Sequence, residues 1–159
     1  MKNNNLLKRL NKGEVLVFDG ATGTYLQNNG LAPGACPELM NIEHPKTVQN
    51  MASIYFDSGS DIVLTNSFGG NKFRLKHYGL DNKVEQFNEL ASSLAKSVAP
   101  NNCYVAGSVG PTGEFIEPLG TVSESEMYDV FTEQITALEN GGADAVMIET
   151  QMAIEEAKI

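Results

Sequence analysis

The chain is poor in positive charge: 11 lysines and arginines stand against 20 aspartates and glutamates, a formal charge of −9. An acidic surface repels phosphate backbones, and no Lys/Arg cluster offsets it, so nucleic acid is excluded as a partner. The longest basic feature, Lys72, Arg74 and Lys76 with His77, reads as a solvated helix face. Long apolar runs are missing as well. No window approaches the roughly 18 uninterrupted apolar residues of a membrane helix. The N-terminal MKNNNLLKRLNKGE has no apolar signal core, so neither a membrane nor secretion is indicated. Cysteine is scarce, and Cys36 with Cys103 makes no disulfide framework, which fits a reducing cytosol. His44 and His77 have no Cys or His partner at metal-ligand spacing and read as surface residues. Neither G-x-G-x-x-G, nor a Walker loop, nor a serine elbow occurs. What remains is a soluble cytoplasmic chain of 159 residues, 42% apolar and 19% charged, long enough for one domain with a sizeable core.

What is present is a repeated pattern. Apolar strand candidates begin at Val15, Ile62, Cys103 and Ala145, predicting strands near 15–19, 61–65, 103–107 and 144–149. Between them run stripes at helical spacing. Val48, Met51, Ala52, Tyr55 and Phe56 form the first. Val84, Phe87, Leu90, Ala91, Leu94 and Ala95 form the second, and Met127, Val130, Phe131, Ile135 and Leu138 the third. Ser123 with Glu126 is a capping-box signature. Ser58-Gly59-Ser60-Asp61 and Gly141-Gly142-Ala143-Asp144 hand two helices over to strands, with glycine supplying a left-handed turn.

Alternation of continuous apolar strands with helices means βαβ units and a parallel sheet covered on both faces. An open doubly wound sheet and a (β/α)₈ barrel both fit. The count is four units, with QMAIEEAKI at 151–159 opening a further helix. Four units ending in a helix have the look of the first half of eight. Such a half-barrel would expose apolar strand residues, Val15, Val17, Ile62, Leu64 and Val105 or their neighbours, and self-associate.

In parallel βα architectures ligands bind at the carboxyl ends of the strands. The four strands end on Asp19-Gly20-Ala21-Thr22-Gly23, Thr65-Asn66-Ser67-Phe68-Gly69-Gly70, Gly107-Ser108-Val109-Gly110-Pro111-Thr112-Gly113 and Glu149-Thr150. Glu14, Asp61 and Asp144 precede their strands and read as solvated turn residues. Asp19 and Glu149 on one rim suit a substrate ammonium group. The small residues 20–23 can turn backbone N–H groups toward a carboxylate. An amine clamp beside an anion nest is what an α-amino acid needs. Plainer readings stand beside these: Asp19 as a helix N-cap, Glu149 as a rim salt bridge, Thr65, Asn66 and Ser67 as a polar turn. Gly107, Gly110 and Gly113 read as turn formers and Cys103 as a small core residue.

Taken together, DGATGT (19–24), PELMNIEHP (37–45), SGSDIVLTNSFGGN (58–71), GSVGPTGE (107–114) with PLG (118–120), and GGADAVMIET (141–150) resemble the homocysteine S-methyltransferase family. The likeness is nearest to the homocysteine-binding module of cobalamin-dependent methionine synthases. It implies that 1–159 is a partial homocysteine-binding domain, the N-terminal half of a (β/α)₈ TIM barrel. It implies that Asp19 and Glu149 hold the amino group of homocysteine, that the amides of Gly20, Ala21 and Thr22 hold its carboxylate, and that Thr65, Asn66 and Ser67 line the pocket floor. The reaction implied is attack of a zinc-bound thiolate on an activated methyl group, the metal removing a proton that a free thiol near pKa 8.5 retains. The family's zinc rests on three cysteines that lie beyond Ile159, and Cys36 and Cys103 match none of them. The chain is therefore expected to be inactive alone, completed by a C-terminal half or by self-association. Relatives take the methyl group from methylcobalamin on a separate corrinoid module, from S-methylmethionine or from betaine. Two alternatives are a non-catalytic half-barrel that binds or assembles, and a phosphatase. A strand ending in Asp followed by one ending in LTN is similar to the haloacid-dehalogenase-like phosphatases, but the second acid that family needs is Ala21 here.

Overall fold

The computed structural model describes residues 5–159; residues 1–4, part of the N-terminal segment read above for a leader, lie outside them. The elements in order are α1 (Asn5–Asn11), α2 (Thr22–Asn28), α3 (Met40–Glu43), α4 (Pro45–Asp57), β1 (Ile62–Leu64), α5 (Lys72–Lys76), α6 (Val84–Lys96), β2 (Tyr104–Val109), α7 (Glu124–Asn140), β3 (Ala145–Ile148) and α8 (Ile154–Lys158). The strands form one parallel sheet in the order β1-β2-β3, with Ile62 opposite Tyr104 and Ala106 opposite Ala145. Among the described residues no helix is long and apolar enough to cross a membrane.

All three long helical stripes become α4, α6 and α7. Each buries the predicted face: Val48, Met51, Ala52 and Phe56; Val84, Phe87, Ala91 and Ala95; Met127, Val130, Phe131 and Leu138. Ser123 caps α7 as its spacing predicts, its side chain accepting the Glu126 N–H at 3.2 Å. Gly59 and Gly142 both take the left-handed conformation, φ 102° and 100°, where an L side chain would be strained. Lys72, Arg74, Lys76 and His77 are exposed, as read from the sequence.

The first strand is a correction. Residues 15–19 do not form a regular strand but meet β1 through one parallel bridge, Phe18 opposite Ile62. The Asp19 N–H donates to Ile62 O at 3.1 Å and the Ile62 N–H to Val17 O at 3.1 Å. The ladder stops there because the Val17 N–H is taken by the Asp61 carboxylate at 2.9 Å rather than by a strand carbonyl. The order along the sheet is nonetheless sequential, since this segment lies on the free side of β1 and β3 is the opposite edge.

Asp61 and Asp144 are not merely solvated. Asp61 accepts from Val17 N–H and from the Arg9 guanidinium at 2.7 Å, and these two partners hold its carboxyl below the usual range. Asp144 accepts the Val105 N–H at 2.9 Å and pairs with Lys96. Asp61 thus ties the turn before β1 to the 15–19 segment, and Asp144 ties the turn before β3 to β2. Glu14 pairs with Arg9 at 2.6 Å.

One face of the sheet gathers Ile62, Tyr104 and Ala106 with Leu16, Phe18, Leu64, Ala145 and Met147, packed with Leu6 of α1. The other sets Val63 and Val105 against Ala52 and Phe56 of α4 and Ala95 of α6. The predicted exposure holds at Val15 (87%) and Val17 (55%), but Ile62 and Val105 are buried and Leu64 half-buried. Helix α1 shields the Ile62 side, and Val105 points to the helical layer. Val146 and Ile148 on the β3 edge are exposed in their place.

Candidate functional site

Asp19 leaves the sheet at the carboxyl end of its bridge. One carboxylate oxygen, Oδ2, accepts the Leu64 N–H at 2.9 Å, while Oδ1 is buried with no hydrogen-bond partner. Burial pushes this carboxyl above the usual range, and the charge of Glu149 pushes it in the same direction. Asp19 does not cap α2, whose capping position is Ala21 and which has no side-chain cap. The carboxylate is turned toward the sheet, onto the Leu64 N–H.

Glu149 follows β3. Its N–H donates to Val109 O at 3.1 Å, and its Oε1 accepts the Ser108 hydroxyl at 2.5 Å. It makes no salt bridge among the described residues. Thr150 next to it has φ 58°, a left-handed conformation that costs a β-branched residue about 1–3 kcal/mol and marks a constrained rim. The two acids lie on opposite sides of the sheet order at its carboxyl end, and the Glu149 charge reaches the Asp19 carboxyl, whose Oδ1 has no partner.

The loop 20–22 lies beside Asp19. The Tyr55 hydroxyl donates to Ala21 O at 2.9 Å. The amides of Gly20, Ala21 and Thr22 donate to no protein acceptor among the described residues. Thr65, Asn66 and Ser67 are all buried below. The Thr65 and Ser67 hydroxyls lie 2.5 Å apart, Thr65 Oγ1 accepts the Ser108 N–H at 3.0 Å, and Ser67 donates to Ser108 O at 2.8 Å. Gln134 of α7 donates to Ser67 O at 2.8 Å from beneath. Asn66 donates to Pro37 O at 2.8 Å and to Asn41 Oδ1 at 2.9 Å. These polar groups lock the end of β1 to β2 and to the 37–41 segment.

Thr22, Gly23 and Asn66 also line a cavity of about 260 Å³ with Glu38, Phe68 and Arg74. Glu38, only 3% exposed, accepts the Gly69 N–H at 2.7 Å and the Cys36 thiol at 3.3 Å. Burial and the Glu38 charge push the Cys36 thiol up to about 12, so it remains protonated. Cys103 is half-buried, and burial pushes its thiol up as well. Among the described residues no group of three His, Cys, Asp or Glu side chains stands close enough to hold a metal ion. A zinc site does not fit these residues.

Sequence reasoning missed four side chains that shape the site. Tyr55 is hidden inside a helical stripe and Gln134 is a polar residue on a buried face. Ser108 and Glu38 sit in motifs whose glycine and apolar neighbours carry the local signal. Only the register of β2, alternating from Tyr104 through Ala106 to Ser108, places Ser108 on the face of Phe18 and Met147.

The sequence profile of homocysteine S-methyltransferase matches residues 16–159. The chain belongs to the homocysteine S-methyltransferase family. It is 34% identical over 148 residues to the methionine synthase of Mycobacterium leprae, covering 86% of this chain and 12% of that protein. It is 30% identical over 159 residues to betaine–homocysteine S-methyltransferase 1 of Sus scrofa, covering 96% of this chain and 56% of that protein. The crystal structure of the oxidized form of the homocysteine methyltransferase MmuM from Escherichia coli superposes with a TM-score of 0.82 at 24% identity. It covers 97% of this chain and 59% of that one, and the likeness carries the fold. The chain thus spans between an eighth and three fifths of the relatives it matches. Membership in this family displaces the phosphatase reading.

Proposed function

We propose that this chain carries the amino-acid-binding part of a homocysteine S-methyltransferase. Its parallel units are those of a (β/α)₈ barrel, and the site lies at the carboxyl ends of its strands. The observation that carries the reading is the buried, unpartnered Oδ1 of Asp19, whose carboxyl also feels the Glu149 charge. A partly desolvated carboxylate that a second one repels is stabilised by a cation, and the ammonium of homocysteine supplies one with several N–H donors. Each charge-assisted hydrogen bond contributes roughly 1.5–3 kcal/mol. The free amides of Gly20, Ala21 and Thr22 stand next to Asp19 and receive the α-carboxylate, which is bonded to the same carbon as the amine. Thr65, Asn66 and Ser67 form the floor, and Ser108 fixes the Glu149 carboxylate.

The chain's own contribution to methyl transfer is to bind and orient homocysteine. In this reading the metal that activates the thiol finds no ligand set among the described residues, and the methyl donor is methylcobalamin on a corrinoid module, S-methylmethionine or betaine. The free cysteines Cys36 and Cys103 suit a cytoplasmic enzyme. Titration calorimetry of the chain with L-homocysteine tests the reading: saturable one-site binding is expected. No binding up to millimolar homocysteine contradicts it.

A further inference from the structure

Tyr55 belongs by sequence to the buried stripe of α4, and its ring packs against the core clusters on either side of that helix. Its hydroxyl nonetheless crosses 34 residues of chain to bond Ala21 O. The ring edge also lies flush on the loop: a Cβ built at Gly20 would stand 3.2 Å from both Cε1 and the hydroxyl oxygen of Tyr55. This is the one side-chain hydrogen bond to the backbone of residues 20–22 among the described residues.

We propose that Tyr55 is a positioning residue for the amino-acid site, holding the 20–22 loop so that its amides face the substrate carboxylate. The inference rests on the homocysteine reading above. A trans peptide is planar, with its C=O and N–H pointing in opposite directions. Holding the Ala21 carbonyl on Tyr55 therefore aims the Thr22 N–H away from the Tyr55 hydroxyl, and Thr22 itself is among the residues lining the cavity described above. Gly20 lets the ring approach: a Cβ there would press on the phenol, and ring and loop would have to part by a few tenths of an ångström. Burial and the Asp19 charge keep the phenol protonated, so the donor is present throughout the neutral pH range.

The test compares Tyr55→Phe, which keeps the ring, with the unsubstituted chain against two ligands, L-homocysteine and 3-aminopropanethiol, its analogue without the carboxylate. Loss of one hydrogen bond that orients a binding loop corresponds to about a three- to tenfold change in affinity. Tyr55→Phe is expected to weaken homocysteine by that factor and to leave 3-aminopropanethiol unchanged. Gly20→Ala is expected to reproduce the effect, and to add little on top of Tyr55→Phe. Equal weakening of both ligands, or unchanged homocysteine binding, overturns the positioning role. If the unsubstituted chain binds homocysteine no better than 3-aminopropanethiol, the carboxylate nest itself fails and the tyrosine's role with it. If it binds neither, the homocysteine reading falls first.

Discussion

Asp19 is held in the fold at an electrostatic disadvantage. Its carboxyl is raised above its ordinary range by burial and by Glu149, so the folded state favours the protonated form. The stability this gives is fully present below the unfolded value and is lost as pH rises through the folded one. Near pH 7 the ionised Asp19 therefore costs stability. Asp19→Asn keeps an acceptor for the Leu64 N–H and removes the charge. It is expected to melt at or above the unsubstituted chain at pH 7, the difference shrinking as pH falls through the raised value, as calorimetric scans would show. Homocysteine affinity of the unsubstituted chain should rise with pH across the same window. Asp19 was legible because a carboxylate ended an apolar run. Tyr55 was not, because an aromatic residue at helical spacing reads as core whether or not its hydroxyl reaches out.

At the scale of elements, the helices were readable because their apolar stripes fix a buried face, and the strands less so. Residues 15–19 have the composition of a strand, but pairing depends on neighbours, and here an aspartate side chain from the next turn intercepts the ladder. Asp61 and Asp144 show the same limit: their place before a strand is visible in the sequence, their bonds to the 15–19 segment and to β2 are not. The junction of α6 and α7 gives a quantitative check. A Cβ at Gly141 would stand 2.3 Å from Glu89 O and 2.7 Å from the Ser92 Cβ, so Gly141→Ala forces the helices apart. We expect it to destabilise by about 1–3 kcal/mol, the usual range for overpacking. Ser123→Ala, which removes the α7 cap, should cost about 0.5–2 kcal/mol. Urea unfolding of both variants measures the two effects, and an unchanged midpoint for Gly141→Ala would contradict the packing described.

For the molecule as a whole, the two ends of the sheet matter most. Val15 and Val17 at one end and Val146 and Ile148 at the other are exposed apolar residues on a chain of net charge −9. Edges of this kind drive association. The chain is expected to sediment as an oligomer, and replacing Val15 and Ile148 by threonine should shift it toward monomer. A cooperatively melting monomer at high concentration would show that these edges need no cover. The parallel α/β plan, with its three paired strands, was legible in the spacing of apolar runs. Burial of Ile62 under α1 was not, because it depends on how the N-terminal helix crosses the sheet.

Joint binding of one ammonium group is the role proposed for Asp19 and Glu149. Its most direct test is the affinity ratio of L-homocysteine to 4-sulfanylbutanoate, which lacks the amine, measured by calorimetry on the unsubstituted chain, Asp19→Asn, Glu149→Gln and the double variant. Charge-assisted bonds of this type correspond to about a 10- to 150-fold preference for the amine-bearing ligand. Either single substitution should remove most of that preference, and the double variant should lose less than the sum, because both groups hold one ammonium. An Asp19→Asn chain that keeps the full preference would contradict the account.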